Sequence, residues 1–133
     1  MKTILVIDDT SEILDNLIEF LQMEGYKTLA ASNGRIGFEM ANKLLPDLII
    51  CDVLMPEMDG HEVLNLLINT SRTRNIPFIF STSMSEKVER AEALALGADD
   101  YIVKPYEPER LLKLIEFWIK NGSKRDLKPI IEE

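Results

Sequence analysis

Five short apolar runs, rich in β-favouring residues, alternate with five longer segments of helical periodicity, and this alternation leaves few folds open. The runs are residues 4–7, 28–31, 48–51, 78–80 and 101–103. The helical segments are residues 11–24, 36–45, 61–69, 86–96 and 108–121. The first of these shows the period most plainly, with Ile13, Leu14, Leu17, Ile18 and Leu21 on one face. Gly25, Gly97 and Gly122 follow three of the helices, where the left-handed C-terminal turn favours a residue without a Cβ. Strand–helix alternation implies right-handed crossovers, hence parallel strands covered on both faces. The predicted fold is an α/β sandwich of five parallel strands flanked by five helices.

In open parallel sheets, ligands bind at the carboxyl ends of the strands. Asp8 and Asp9 stand at that end of the first strand, and Asp52 at that end of the third. Thr82 and Ser83 follow the fourth strand, and Lys104 follows the fifth. Three carboxylates at one rim repel unless a hard cation neutralises them or one takes a proton. Mg²⁺ is bound by a few carboxylates while it keeps waters and recruits phosphate oxygens. A carboxylate beside it can attack a phosphoryl group, whose developing charge calls for a cation and a hydroxyl donor. Lys104 and Thr82 are placed to supply them.

Plainer readings exist for each residue. The stretch from Asp8 to Ser11 could simply cap the first helix, Lys104 could be a solvated strand end, and Tyr101 a core aromatic. Pro105 argues for a fixed, cis-compatible peptide behind Lys104. His61 starts a helix and is expected at the surface. Cys51 points away from Asp52 by strand alternation and is expected to be a buried small hydrophobe. No glycine-rich dinucleotide or P-loop pattern is present.

Composition narrows the class. A chain of 133 residues suits one domain, and no apolar stretch reaches the roughly 20 residues of a membrane span. One cysteine excludes an internal disulfide, and the N-terminus lacks a signal-peptide pattern, so a cytoplasmic location is expected. The net charge of −8 argues against direct nucleic-acid binding by this domain.

The segments "VIDD", "PDLIICDVLMPEMDG", "FSTS" and "GADDYIVKP" together resemble the receiver domain of two-component response regulators. The resemblance covers Lys2 to about Asn121. It implies strand order 2-1-3-4-5 in a flavodoxin-like three-layer sandwich, the order for which receivers are themselves a standard example. It implies a domain of residues 1–121, with 122–133 as a polar tail or the start of a linker. By residue, it implies that Asp52 is the phospho-acceptor and that Asp9 and Asp52 ligate Mg²⁺ directly. Asp8 would hold metal-bound water and Leu54 would offer its carbonyl. Thr82 and Lys104 would contact the phosphoryl group, and Tyr101 with Thr82 would form the switch. The implied partners are a histidine kinase or histidine phosphotransfer protein, and downstream an effector protein or attached output domain.

Three departures stand out. Leu54 is apolar where many relatives carry a polar residue, Ser83 replaces a small residue, and one surface of the last helix offers Leu114, Glu116 and Phe117 where relatives that dimerise and bind DNA carry Arg and Lys. An Mg²⁺-dependent phosphohydrolase is the enzymatic rival, but it wants a general acid where Leu54 stands. A phosphorylation-independent binding module is the other rival. On the last helix, Leu111, Leu112, Ile115, Trp118 and Ile119 are expected to form the buried stripe. Leu114 and Phe117 then fall outside it, as anchors for a homodimer or for tail residues Ile130 and Ile131.

Overall fold

The computed structural model describes residues 1–83 and 87–126. Its strands are β1 (Thr3–Ile7), β2 (Lys27–Ala31), β3 (Leu48–Cys51), β4 (Phe78–Thr82) and β5 (Asp100–Val103). The helices are α1 (Ser11–Met23), α2 (Gly34–Leu44), α3 (Gly60–Ile68), α4 (Lys87–Ala95) and α5 (Pro108–Asn121). All pairings are parallel and the sheet order is β2-β1-β3-β4-β5, as the resemblance implied. The predicted starts of α2 and α3 lie one or two residues late because Asn33 and Asp59 cap them. The Asn33 side chain accepts from the Ile36 amide, and Asp59 forms a reciprocal capping box with Glu62.

Strand alternation sends side chains to two cores. Leu5, Ile7, Ile49, Cys51, Phe78, Phe80 and Tyr101 pack with α2, α3 and α4 through residues such as Ala41, Leu64 and Ala93. Ile4, Val6, Ile50, Ile79 and Ile102 pack with α1 and α5 through Leu14, Leu21, Leu111 and Ile115. Every residue of β3 and β4 is buried, as befits central strands covered on both faces.

Two expectations need correction. On α5, Leu114 packs against the core with Trp118 and Ile119, while Leu112 does not join it; the buried stripe is rotated toward Leu114. Phe117 is half exposed, its ring meeting Trp118 edge-on at 4.9 Å. His61 is only partly exposed, its ring lying edge-on to Phe80 at 5.2 Å. Residues 123–125 pack on the body of the domain, with Ser123 buried. Ile130 and Ile131 lie outside the described residues.

Candidate functional site

Three strands end at one rim because they run parallel and in register: Ile7 pairs with Cys51, and Cys51 with Phe80. The next residue of β1 is Asp8, and the next of β3 is Asp52. The Asp8 amide still donates to the Ala31 carbonyl at 3.1 Å and the Asp52 amide to the Ile7 carbonyl at 2.9 Å, so the sheet itself fixes where both carboxylates leave the rim. Carboxylate oxygens of Asp8, Asp9 and Asp52 lie within 4.8 Å of one another. Asp8 is buried, Asp52 half-buried and Asp9 exposed. A set of hard oxygen donors, open on the Asp9 side, suits an ion that keeps part of its water shell, as Mg²⁺ does.

Lys104 meets these acids from β5. Its Nζ donates to Asp8 Oδ2 at 2.9 Å and lies 3.8 Å from Asp52 Oδ1. The Lys104 amide donates to the Thr82 carbonyl at 2.7 Å, which ties the lysine to the end of β4. The Lys104–Pro105 peptide is cis. Asp8 Oδ1 accepts from the Thr10 amide, and Asp52 Oδ1 from the Val53 amide, each at 2.9 Å. Thr10 is the N-cap of α1, but its side chain makes no capping bond. The acids here do more than cap a helix.

Burial dominates the electrostatics of Asp52. It pushes the carboxyl up to about 6, against the pull of Lys104 and the Val53 amide, with Asp8 and Asp9 adding repulsion. Cys51 is wholly buried and its thiol is pushed up by burial and then by Asp52, so it is an inert core residue beside the site. Gly60 lets α3 begin close to the end of β3: a Cβ there would collide with the Asp52 carbonyl oxygen. Leu54, two residues past Asp52, is 59% exposed at the rim. Thr82 and Tyr101 are buried, and the Arg90 guanidinium lies 5.8 Å from the Tyr101 ring centroid.

One neighbour was not singled out from the sequence. Tyr106 follows Lys104-Pro105 and is largely buried, which pushes its phenol up against the pull of the Ser81 hydroxyl and Lys104. With Pro105 it walls a crevice of about 440 Å³ between α1 and α5, lined also by Ile13, Leu17, Phe20 and Leu111. The aromatic immediately after "KP" was the available signal.

Known proteins agree with this arrangement. The family model for the response regulator receiver domain matches residues 4–116. The structure of the chemotaxis protein CheY4 of Vibrio cholerae is 33% identical, covers 88% of this chain and 98% of its own, and superposes with a TM-score of 0.83. A CheY-like receiver domain protein from Methanospirillum hungatei is 29% identical over 91% of this chain and 95% of its own, with a TM-score of 0.84. Among curated relatives, the "DNA-binding dual master transcriptional regulator RpaA" of Synechocystis sp. is 37% identical over 93% of this chain and 52% of its own. The "Probable transcriptional regulator ycf27" of Porphyra purpurea is 36% identical, covering 92% and 49% respectively. The chain therefore spans about half the length of these curated relatives. By fold, by acidic cluster and by these matches, the chain belongs to the response regulator receiver domain family.

Proposed function

We propose that Asp52 accepts a phosphoryl group from the phosphohistidine of a histidine kinase or histidine phosphotransfer protein, and that the acyl phosphate switches a protein-interaction surface. The observation that carries this reading is the meeting of three carboxylates and one ammonium at the rim of the sheet. Receiver domains are not enzymes in the ordinary sense; they catalyse their own phosphorylation and dephosphorylation. Histidine kinases and phosphotransfer proteins are their general partners.

The acidic cluster fits Mg²⁺, which Asp9 and Asp52 would hold directly, with Asp8 acting through water and the Leu54 carbonyl as a further donor. Bound there, the ion supplies positive charge to the phosphoryl oxygens. The remaining steps belong to the chain. An Asp52 oxygen forms the new bond to phosphorus as the P–N bond breaks, and that electron pair leaves on the imidazole nitrogen. Lys104 turns from Asp8 to a phosphoryl oxygen, a short move given its 3.8 Å distance from Asp52 Oδ1. The Thr82 hydroxyl donates to another. Tyr101 already lies inward. The switch is therefore a change in how firmly Thr82 and the phosphoryl group hold it there, felt across α4, β5 and α5.

The donor docks on the apolar crevice between α1 and α5, whose lip carries Lys104. A protein that brings a phosphohistidine to Asp52 has to cover this neighbourhood. Output passes to a separate effector or to a domain on a longer chain, as the greater length of the curated relatives suggests. The reading is tested with a histidine kinase carrying labelled phosphate. Label should pass to the chain in Mg²⁺, and fail to pass in EDTA or to Asp52→Asn. Leu17→Glu should slow transfer from the kinase while leaving phosphorylation by acetyl phosphate unchanged. Equal labelling of wild type and Asp52→Asn would reject the assignment.

A further inference from the structure

At the end of the sheet opposite the acidic rim lies a second buried polar cluster, which the phosphoryl chemistry does not use. The Asp99 side chain, just before β5, has no exposed surface, so each of its oxygens must find donors. Oδ2 accepts from the Phe78 amide at 2.8 Å and from Arg125 Nη1 at 3.1 Å. Oδ1 accepts from Ser123 Oγ at 3.0 Å and from the Lys124 amide at 2.6 Å. Arg125 in turn donates Nε to the Arg74 carbonyl at 2.9 Å, Nη2 to the Ile76 carbonyl and Nη1 to the Gly97 carbonyl. Such a fan of bonds needs the planar fork of a guanidinium; an ammonium could not reach all four acceptors. The turn is shaped to receive it. Gly97 has φ of +114°, and a Cβ there would lie 2.7 Å from Ile68 Cδ1 and 3.6 Å from the Arg125 stem.

A solvated linker needs none of these bonds. We infer that residues 123–125 form a clasp that makes the chain's exit a rigid extension of β5 and passes movements of that strand to the residues beyond 126. The inference rests on the receiver reading, because phosphorylation of Asp52 is what would move β5. The route is short. Lys104, just past one end of β5, is paired with Asp8 and lies near Asp52, and Asp99 immediately precedes the other end. Asp100 accepts from Trp118 Nε1 of α5 at 2.8 Å and lies 4.0 Å from Arg90 of α4. Arg90 also donates to the Tyr101 carbonyl. Residues 99–101 thus fasten α4, α5 and the exit segment to one strand. A buried, fully bonded ion pair holds its geometry tightly, so a shift of β5 is carried to Arg125 without slack.

Amide exchange on the intact chain tests this, with and without Mg²⁺ and beryllofluoride as the phosphoryl mimic. In the free protein the Lys124 and Phe78 amides should be protected at least about 100-fold, in keeping with sequestered bonds. The mimic should change Lys124 protection severalfold. In Arg125→Met, Lys124 should lose about tenfold or more of its protection, while β1 and β3 amides keep theirs and the amides near Asp52 still respond to the mimic. Ser123→Ala removes one donor but keeps the ion pair; it should give an intermediate loss, and it serves if Arg125→Met does not fold. An unprotected Lys124 amide in wild type overturns the inference. So does a mimic response at Asp52 and Lys104 with none at Lys124. If the mimic changes no amide, even beside Asp52, the receiver reading itself fails and the inference falls with it.

Discussion

Asp52 carries both a cost and a function, and the cost is measurable. Its carboxyl titrates at about 6 in the metal-free fold, chiefly because it is partly withdrawn from water. An unfolded aspartate titrates near 4, roughly the ordinary carboxylate value. Between these values the folded state binds more protons than the unfolded, so stability falls as pH rises through the window and is flat above it. Asp52→Asn removes that slope. Denaturation of the metal-free proteins should show the variant gaining on wild type by about 1–2 kcal/mol between pH 4 and pH 7, a figure discounted for partial solvation. A constant difference across that range would mean that Asp52 is not the titrating group. The same proton competes with Mg²⁺. Apparent Mg²⁺ affinity should fall about tenfold from pH 8 to pH 5 for one carboxyl titrating near 6, as titration calorimetry can read. The sequence made Asp8 and Asp52 legible because each follows an apolar strand directly. Asp99 was not legible in this way. Its partners, Phe78, Ser123 and Arg125, are distant in sequence, and nothing local marks an aspartate as buried.

Single elements show why pattern reading works and where it stops. In α5, Leu111 and Ile115 are fully buried, whereas Phe117 is 52% exposed. Leu111→Ala should therefore cost about 2–5 kcal/mol in urea denaturation, the usual range for deleting a core leucine. Phe117→Ser should stay within about 1 kcal/mol, since the side chain is half exposed. Comparable losses would mean that Phe117 is covered in solution by a second copy or another segment. The periodicity of "LLKLIEFWI" correctly identified a buried stripe centred on Leu111, Ile115 and Trp118. It chose Leu112 over Leu114 and was wrong, because these lie on opposite flanks of the stripe and periodicity alone does not separate them. The packing of α5 against the sheet and α1 makes that choice, and α5's own sequence does not contain it. Strand boundaries were read within two residues, since hydrophobic runs mark burial more sharply than they mark where pairing ends.

At the scale of the molecule, topology does most of the work. Parallel strands in the order 2-1-3-4-5 place Asp8, Asp52 and Lys104 at one end of the sheet, so alternation in the sequence was enough to anticipate the site. Only the assembled sheet brings the carboxylates together, and so Mg²⁺ should stabilise the folded chain by mass action. At ten times its dissociation constant the gain should be about 1.4 kcal/mol, visible as a raised Tm, and much smaller in Asp52→Asn. The charge relation between Lys104 and the acids extends to reactivity, and one measurement reaches it directly. The intact chain is treated with acetyl phosphate and Mg²⁺, weighed by mass spectrometry, and mapped by peptide. One phosphoryl group should be gained, localised to Asp52, absent in EDTA and absent in Asp52→Asn. A chain that gains no mass, consumes acetyl phosphate without a lasting adduct, or carries the phosphoryl group on another residue would contradict the proposed role of Asp52.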